Sequence, residues 1–325
     1  MTLVLRKCYK DGSSRNGFKY GQVGDIVICP DWNPEPKCGN GLHGLKEGNG
    51  YWRLLEGDDW LVIEVKGKIV DIDKDKCKFK TGKILFRGTK SQLSKSEFPN
   101  KLKLNENAAL NWAYYIGNQD MMINKIKSSE YAFEWSSLIG NKNIMINKIK
   151  SEKYAYLWAR HIGNRDIMIN KIKSEKYAYK WALDIGNRDI MINKIKSEEY
   201  AYLWARHIGN QDVMIKKIKS EKYASLWVKQ IGNEDVMVKK IKSEKYAYEW
   251  ALYIGNQDVM VKKIKSEKYA YEWALEIGDE DIMIKKIKSE KYAYFWATYI
   301  GNHDIMIKKI KSEKYANKLA REVRN

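Results

Sequence analysis

The stretch SEKYAYLWARHIGNRDIMINKIK, residues 151–173, decides the fold, because SEKYAYKWALDIGNRDIMINKIK follows it directly at residues 174–196. Near-copies or fragments of this unit fill the chain from residue 105 to residue 325. A tryptophan recurs every 23 residues, at Trp112, Trp135, Trp158, Trp181, Trp204, Trp227, Trp250, Trp273 and Trp296. Repetition at a fixed period of about 20–50 residues is typical of a solenoid, in which each unit buries its apolar face against its neighbours. The sequence therefore predicts a mainly α protein, an α-solenoid of about nine units.

Two short helices are predicted in each unit. Ser151 is a suitable N-cap, and apolar residues then recur at the spacing of one helix face, with the tryptophan among them. Gly163 can take the left-handed conformation that ends a helix. A second helix is expected from residue 166 to about residue 173, with Met168 and Ile169 turned inward. We expect the tryptophans to be packing residues of the core.

Three regions are predicted along the chain. Residues 1–90 contain β-type runs separated by Gly, Asn and Pro turns, which indicate a small β-rich domain, either α+β or all-β. Residues 91–104 are polar and lack the repeat, so we expect a linker. Residues 105–325 are expected to form the solenoid, closed by a cap at each end. The first unit has Ala108 where other copies have Tyr, and the last has Leu319 in place of Trp.

Three motifs in the N-terminal region belong together: PDWNP at residues 30–34, CGNGLHGL at residues 38–45 and WLVIEV at residues 60–65. With them, the first 90 or so residues resemble an uncharacterised domain found at the front of bacterial and phage proteins, often ahead of pentapeptide-repeat arrays. The resemblance implies a bacterial or phage source and a module that accepts different repeat arms, and it implies no activity. Because the arm is helical here, DNA mimicry by a pentapeptide coil is not carried over.

One candidate binding surface lies on the first helix of each unit. The residues one before, two after and three after each tryptophan differ among the copies and fall in one arc of the helix, away from the apolar face. Its apolar members include Leu183, Leu226, Leu252, Leu275, Phe295 and Tyr299. A line of exposed apolar and aromatic residues is typical of a protein-binding surface, whereas drift after duplication would leave variation without a function.

A second candidate surface is a lysine ridge on the second helices. The net charge of the chain is +19, and most of the excess lies beyond residue 100. Asn170 of an early copy is replaced in later copies by Lys216, Lys239, Lys262 and Lys285, each beside two further lysines. Such a ridge could follow a phosphate backbone, with the neighbouring tyrosines stacking on bases. Arginine is scarce there, and local acidic residues balance the lysines, so a solubilising face is the competing interpretation.

The β-rich region offers weak catalytic candidates. His43 lies near Cys38 in a Gly-rich stretch, and a Cys–His pair is the minimum for nucleophilic catalysis, but we expect His43 to be a turn residue. Irregular Cys and His spacings predict no metal site, and no motif indicates a cofactor. The cysteines lack a C-x-x-C pair and the N-terminus lacks a signal-peptide core, so we expect reduced thiols and a cytoplasmic protein. No apolar run approaches the length of a membrane span.

The function expected first is non-enzymatic: a solenoid that binds a protein, as a phage or prophage factor acting on a host component. The second interpretation is a nucleic-acid-binding solenoid that uses the lysine ridge. The third is an enzyme whose site lies near His43, with the repeats as a targeting arm.

Overall fold

The computed structural model of the protein describes residues 1–74 and 76–322. The chain divides into two compact units, Met1–Ile172 and Lys173–Asn325. A curled antiparallel sheet of seven strands is followed by regularly spaced helices. The fold class predicted from the sequence, a helical solenoid preceded by a small β-rich domain, is therefore confirmed.

The sheet has the strand order β2-β7-β4-β1-β3-β6-β5. Its strands are β1 (Thr2–Cys8), β2 (Ile26–Ile28), β3 (Leu42–Lys46), β4 (Asp59–Val65), β5 (Ile69–Ile72), β6 (Lys76–Phe79) and β7 (Thr81–Gly88). The sequence predicted strands at β1, β2, β4, β5 and β7. It missed β3, because CGNGLHGL has the composition of a turn, and it also missed β6. His43 is consequently a strand residue paired with Lys78, and its prediction as a turn residue is wrong.

Strand β4 lies inside the sheet, between β7 and β1, and its residues are apolar on both faces. Leu61, Val62 and Ile63 are completely buried, as expected for a continuous β-branched and aliphatic run covered on two sides. Helix α1 (Lys90–Lys95) packs against β4 and β7 through the buried Leu93. Helix α2 (Phe98–Lys101) follows, and Phe98 makes an edge-to-face contact with Phe86 of β7, with ring centroids 5.9 Å apart. The predicted linker is therefore folded onto the sheet, while the domain boundaries stay predictions.

Each repeat begins with a helix of ten residues. These helices are α3 (Glu106–Tyr115), α5 (Ser129–Leu138), α7 (Glu152–His161), α9 (Glu175–Asp184), α11 (Glu198–His207), α13 (Glu221–Gln230), α15 (Glu244–Tyr253), α17 (Glu267–Glu276), α19 (Glu290–Tyr299) and the closing α21 (Glu313–Glu322). A serine precedes each from α5 to α19, and Asn105 precedes α3. In several copies its side chain accepts a hydrogen bond from the backbone three residues on, as expected of an N-cap.

A much shorter helix follows in each repeat. These helices are α4 (Gln119–Met122), α6 (Lys142–Met145), α8 (Arg165–Met168), α10 (Arg188–Met191), α12 (Gln211–Met214), α14 (Glu234–Met237), α16 (Gln257–Met260), α18 (Glu280–Met283) and α20 (His303–Ile307). All but α20 continue into a three-residue 3-10 turn, such as Val238–Lys240 after α14. The predicted second helix was too long, since the chain tightens here and then runs extended into the next serine.

The tryptophans form the core of the repeats, as predicted. Trp204 is completely buried between Ala201 and Ala205 of its own helix, and Met214 and Ile218 of the same repeat are also fully buried. Alanine on either side lets the neighbouring backbones come close to the large indole. The indole N–H groups of all nine tryptophans are buried without a hydrogen-bond partner in the described part of the chain. The tryptophans therefore contribute packing alone.

The turn between the two helices uses two left-handed residues. Gly209 has φ +113° and donates its N–H to the carbonyl of Trp204 at 3.1 Å, which ends helix α11. Asn210 follows with φ 52°, and its side chain makes no capping hydrogen bond to helix α12. The predicted role of the glycine in ending the first helix is confirmed, and the asparagine after it is suited to this place because it tolerates the left-handed conformation.

Glutamates link consecutive repeats. Glu221, the first residue of α13, accepts hydrogen bonds from the Ser243 N–H at 2.6 Å and from the Ser243 hydroxyl at 2.5 Å, and it also contacts the Lys242 N–H. Glu198 contacts Ser220 in the same way. One carboxylate therefore accepts hydrogen bonds from the serine that begins the next repeat. These contacts hold adjacent repeats together at the N-termini of their ten-residue helices.

The two ends of the repeats are covered differently. Trp112 of the first repeat lies with its ring 6.1 Å from that of Trp52, and Tyr115 stacks on the same Trp52. The β-rich region therefore covers the first repeat. Helix α21 buries Leu319 and exposes most of its other residues, as a polar outer face requires. The last three residues of the predicted C-terminal cap, 323–325, lie outside the described residues.

Candidate functional site

An exposed aliphatic residue occupies the same place on the short helix of every repeat after the first. It is Ile144 and Ile167 in the first unit, and Ile190, Val213, Val236, Val259, Ile282 and Ile305 in the second. Between 44% and 52% of each of these residues is exposed. We call the six residues of the second unit the aliphatic stripe. An aliphatic side chain that stays half in water in each copy is available to a partner.

Local helix geometry turns the stripe outward. In α14, Met237 is completely buried, as is Ile241 after the 3-10 turn. Val236 is one position before Met237, so it is rotated by about 100° from the inward direction. Three successive apolar residues, here Val236 to Val238, cannot all face the core of one helix, and the first of them faces solvent.

The lysine ridge differs from its prediction. Lys216, Lys239, Lys262 and Lys285 are exposed, as expected. The lysine that follows each of them was predicted to point outward as well, but Lys240 donates from Nζ to the carbonyl of Ile218 at 2.6 Å, and Lys263 does the same to Ile241 at 2.6 Å. Lys286 and Lys309 make the equivalent contacts. In the repeats that contain Lys240, Lys263, Lys286 and Lys309, that lysine binds the backbone of the preceding repeat, so the expectation that it faces outward is wrong for these four repeats.

The variable arc is only partly exposed. Leu183, Leu275 and Tyr299 are exposed by 46%, 45% and 63%. Leu226 and Leu252 are half-buried in their helices. Phe295 is half-buried as well, and its ring lies 5.5 Å from that of Tyr294 and 6.1 Å from that of Tyr271. Three of the six predicted apolar contacts are therefore freely available at the surface, and their role in binding stays a prediction.

The tyrosines pair with one another along the repeats. Tyr202 lies 6.2 Å from Tyr223 of the next repeat, and Tyr248 lies 6.0 Å from Tyr269, measured between ring centroids. Lysines such as Lys222 lie over the same rings, with Nζ 5.4 Å from the centroid of Tyr223. These rings already have intramolecular partners, which weakens the expectation that they stack on bases.

His43 and Cys38 line one cleft of the β-rich region. Burial, together with the charges of the nearby Lys76 and Arg6, lowers the pKa of His43 to about 4, so the imidazole is neutral at pH 7. Cys38 is exposed, and its polar contact is with Lys76 Nζ at 3.1 Å. Cys77 is buried, and this burial raises the pKa of its thiol to about 12. The structure thus brings His43 and Cys38 to one site, where the thiol contacts an ammonium group.

Within residues 1–74 and 76–322, His, Cys, Asp and Glu side chains nowhere gather in the groups of three or more that hold a metal ion. Over the same residues, each helix falls short of the length and apolar character needed to cross a bilayer.

Comparison with known proteins reaches the β-rich region only. A family model described as a domain of unknown function (DUF7666) matches residues 2–97. The match covers the sheet and helix α1, which agrees with the resemblance of this region to an uncharacterised domain, and it covers none of the repeats. No curated protein and no solved structure matches the chain.

Sequence reasoning missed the aliphatic stripe, although a signal for it is present. In copies two to nine, the short helix contains a buried methionine, and the residue directly before that methionine is always Ile or Val. A constant aliphatic residue that the helical spacing places outside the core could have been recognised as an exposed, retained position.

Proposed function

We propose that the repeats bind a protein whose contact face is apolar and carries carboxylates, and that the aliphatic stripe is the centre of the contact. The observation that carries the proposal is the restriction of an exposed position to Ile or Val through the whole second unit. Fold stability offers little reason for this restriction. A half-exposed Ile or Val gains only part of its burial energy, and β-branched residues are slightly unfavourable in helices.

The variable arc shows how far exposed residues of these repeats differ between copies. Its positions arose with the same duplications as the stripe, yet they hold residues as different as Asp184, His207 and Tyr253 at one place. Exposed residues of these repeats have therefore been free to change. The stripe has not changed beyond Ile and Val, which supports selection for an aliphatic contact at that place.

The lysines beside the stripe support a partner that carries carboxylates. Val236 is followed three residues later by the exposed Lys239, and Val259 by Lys262, and residues three apart on a helix are neighbours. The aspartate that precedes each stripe residue lies at the helix start, where the helix dipole stabilises it. A row of aliphatic side chains flanked by ammonium groups fits a protein surface that combines apolar residues with Asp and Glu.

Other parts of the proposal rest on the sequence. A bacterial or phage source, action on a host component and a cytoplasmic location remain predictions from the resemblance of residues 1–90 and from the cysteine pattern. Nucleic acid as the partner is the competing outcome, because Lys216, Lys239, Lys262 and Lys285 are exposed at regular spacing.

The test uses the full chain to capture a partner from a bacterial lysate, followed by binding measurements with that partner in purified form. The stripe variant carries Val236→Asp and Val259→Asp. The arc variant carries Leu183→Asp and Leu275→Asp, and the ridge variant carries Lys239→Glu and Lys262→Glu. Circular dichroism melting establishes that each variant is folded.

We expect the stripe variant to bind the purified partner roughly a hundredfold more weakly, since each buried aliphatic contact contributes about 1–2 kcal/mol and 1.4 kcal/mol is tenfold. The arc variant should bind as the unmodified chain does. The proposal fails if the stripe variant keeps full affinity. It also fails if the captured material is nucleic acid whose binding weakens log-linearly with salt and is lost in the ridge variant.

A further inference from the structure

A cleft of about 510 Å³ lies in the β-rich region, on a side where cations predominate. Its lining includes Arg6 and Lys7 of β1, Arg15 of the following turn, and Lys76 of β6. The acidic residue of the lining is Glu56, which pairs with Arg15 at 3.2 Å. In the part of the chain that the structure describes, no carboxylate lies within ion-pair distance of the other three cations. Their charge is therefore available to an anion.

Two buried nitrogen atoms of the lining residues have no hydrogen-bond partner among the described residues, namely Arg6 Nε and His43 Nε2. Arg6 is nevertheless held in place, because its Nη1 donates to the carbonyl of His43 and its guanidinium lies 4.7 Å from the centroid of the Tyr20 ring. An unpaired buried N–H of a charged group is costly, and native proteins pair such groups with a ligand, a water or an ion. An acceptor that enters the cleft would satisfy this donor.

The wall that carries Cys38 is rigid. Lys78 is 1% exposed and donates from Nζ to the carbonyls of Lys37 at 2.8 Å and Gly39 at 3.1 Å, on either side of Cys38. This buried lysine fixes the loop against β6, the strand that also carries Lys76. The loop that forms this wall is therefore held in place without a ligand, which reduces the entropy cost of binding one.

Three leucines form an apolar part of the lining. Leu45 of β3 is completely buried, while Leu54, at the end of a 3-10 turn, is 46% exposed, and Leu55 follows it. A cleft with ammonium and guanidinium groups together with leucines fits a ligand with an anionic group and an apolar or flat body. Its volume is within the range of about 300–1,000 Å³ that is usual for small-molecule sites.

We infer that this cleft binds a phosphate monoester with a flat body, the size of a nucleoside monophosphate. Arg6 and Lys76 hold the phosphate, since guanidinium and ammonium groups form charge-assisted hydrogen bonds with its oxygens. The neutral His43 adds one hydrogen bond, and Leu54 and Leu55 cover the body. The inference concerns a small-molecule site in the β-rich region and is separate from protein binding by the repeats.

Isothermal titration of the full chain with adenosine 5′-monophosphate tests the inference. Adenosine, inorganic phosphate and a 5′-phosphorylated trinucleotide are the comparison ligands. We expect saturable binding of the monophosphate, with adenosine and inorganic phosphate each at least about tenfold weaker, because each lacks half of the contacts. Equal affinity for the phosphorylated trinucleotide would identify a nucleic-acid end as the source of the monoester, whereas weaker affinity would identify a free nucleotide.

Two matched lysine variants make the result specific. Lys76→Gln removes a cation of the cleft, and we expect it to weaken monophosphate binding about tenfold. Lys80→Gln removes an exposed lysine just beyond the same strand and outside the cleft, and it should leave binding unchanged. The inference is wrong if the monophosphate shows no saturable binding at millimolar concentration, if inorganic phosphate binds equally well, or if both variants lose the same affinity while melting normally.

Discussion

Replacing Trp204 separates a packing role from a role in ligand contact. Trp204 is completely buried, and a tryptophan buries about 150–250 Å², which at about 25 cal/mol per Å² corresponds to roughly 4–6 kcal/mol. Large-to-small replacement of a buried aromatic residue costs about 3–5 kcal/mol in practice, because the surroundings relax only partly. We therefore expect Trp204→Ala to lower the free energy of unfolding by about 3–5 kcal/mol.

A second variant, Trp204→Phe, sharpens the prediction. It leaves a smaller cavity than alanine does, and it removes the indole N–H, which is buried without a partner. A buried unpaired donor costs about 1–3 kcal/mol, so its removal offsets part of the lost packing. The expected loss is below about 2 kcal/mol.

Urea denaturation of the full chain, followed by circular dichroism at 222 nm (the usual helix signal), measures both variants in parallel. The Ala variant should unfold at lower urea concentration than the Phe variant, and the Phe variant at slightly lower concentration than the unmodified chain. If both variants were equally destabilised, the indole N–H would have an essential partner. If neither were destabilised, the tryptophans would not form the core, and the account of the solenoid would be wrong.

Two further predictions concern the links between repeats. Burial raises the pKa of Glu198, but the hydrogen bonds from Ser220 lower it more, so the folded value lies below the ordinary 4.5. This stabilisation is complete above about pH 4.5 and is lost as the pH falls through the folded pKa of Glu198. The melting temperature should therefore fall on acidification, and it should fall less in the variant Glu198→Gln. A melting temperature that is independent of pH would contradict the proposed contacts between repeats. Lys240→Met removes the hydrogen bond to the Ile218 carbonyl and should lower the free energy of unfolding by about 1–2 kcal/mol in urea denaturation. Lys239→Met changes the exposed neighbour and should leave the free energy of unfolding almost unchanged. Equal losses would show that the bond from Lys240 does not stabilise the contact between repeats.

Much of the fold follows from local patterns in the sequence. The period of the tryptophans determines the number of repeats, and the pair Gly209 and Asn210 marks the turn because both residues tolerate the left-handed conformation. These features depend on neighbours within one repeat. Strand β3 could not be recognised in the same way, because its glycines resemble a turn and its pairing partner β6 lies more than 30 residues away.

The candidate sites also depend on contacts between residues that are far apart in the sequence. Lys239 and Lys240 are identical side chains in adjacent positions, but only the second meets a backbone carbonyl of the preceding repeat. That difference is tertiary and leaves no mark in the sequence. The cleft around His43 likewise gathers residues from β1, β3, β6 and three segments between strands. A spacing of five residues between Cys38 and His43 could suggest their proximity but could not reveal Arg6 or Arg15 beside them.

Site-specific photo-crosslinking tests the central claim, that the repeats bind a protein through the aliphatic stripe, most directly. A benzophenone amino acid is placed singly at Val236 of the stripe, at Lys229 of the variable arc or at Lys239 of the ridge, and the full chain is irradiated in a bacterial lysate. The account predicts one discrete protein adduct from Val236, lost when Val259→Asp is added, and little or no adduct from Lys229. A strong adduct from Lys229 with none from Val236, or nuclease-sensitive adducts from Lys239, would contradict it.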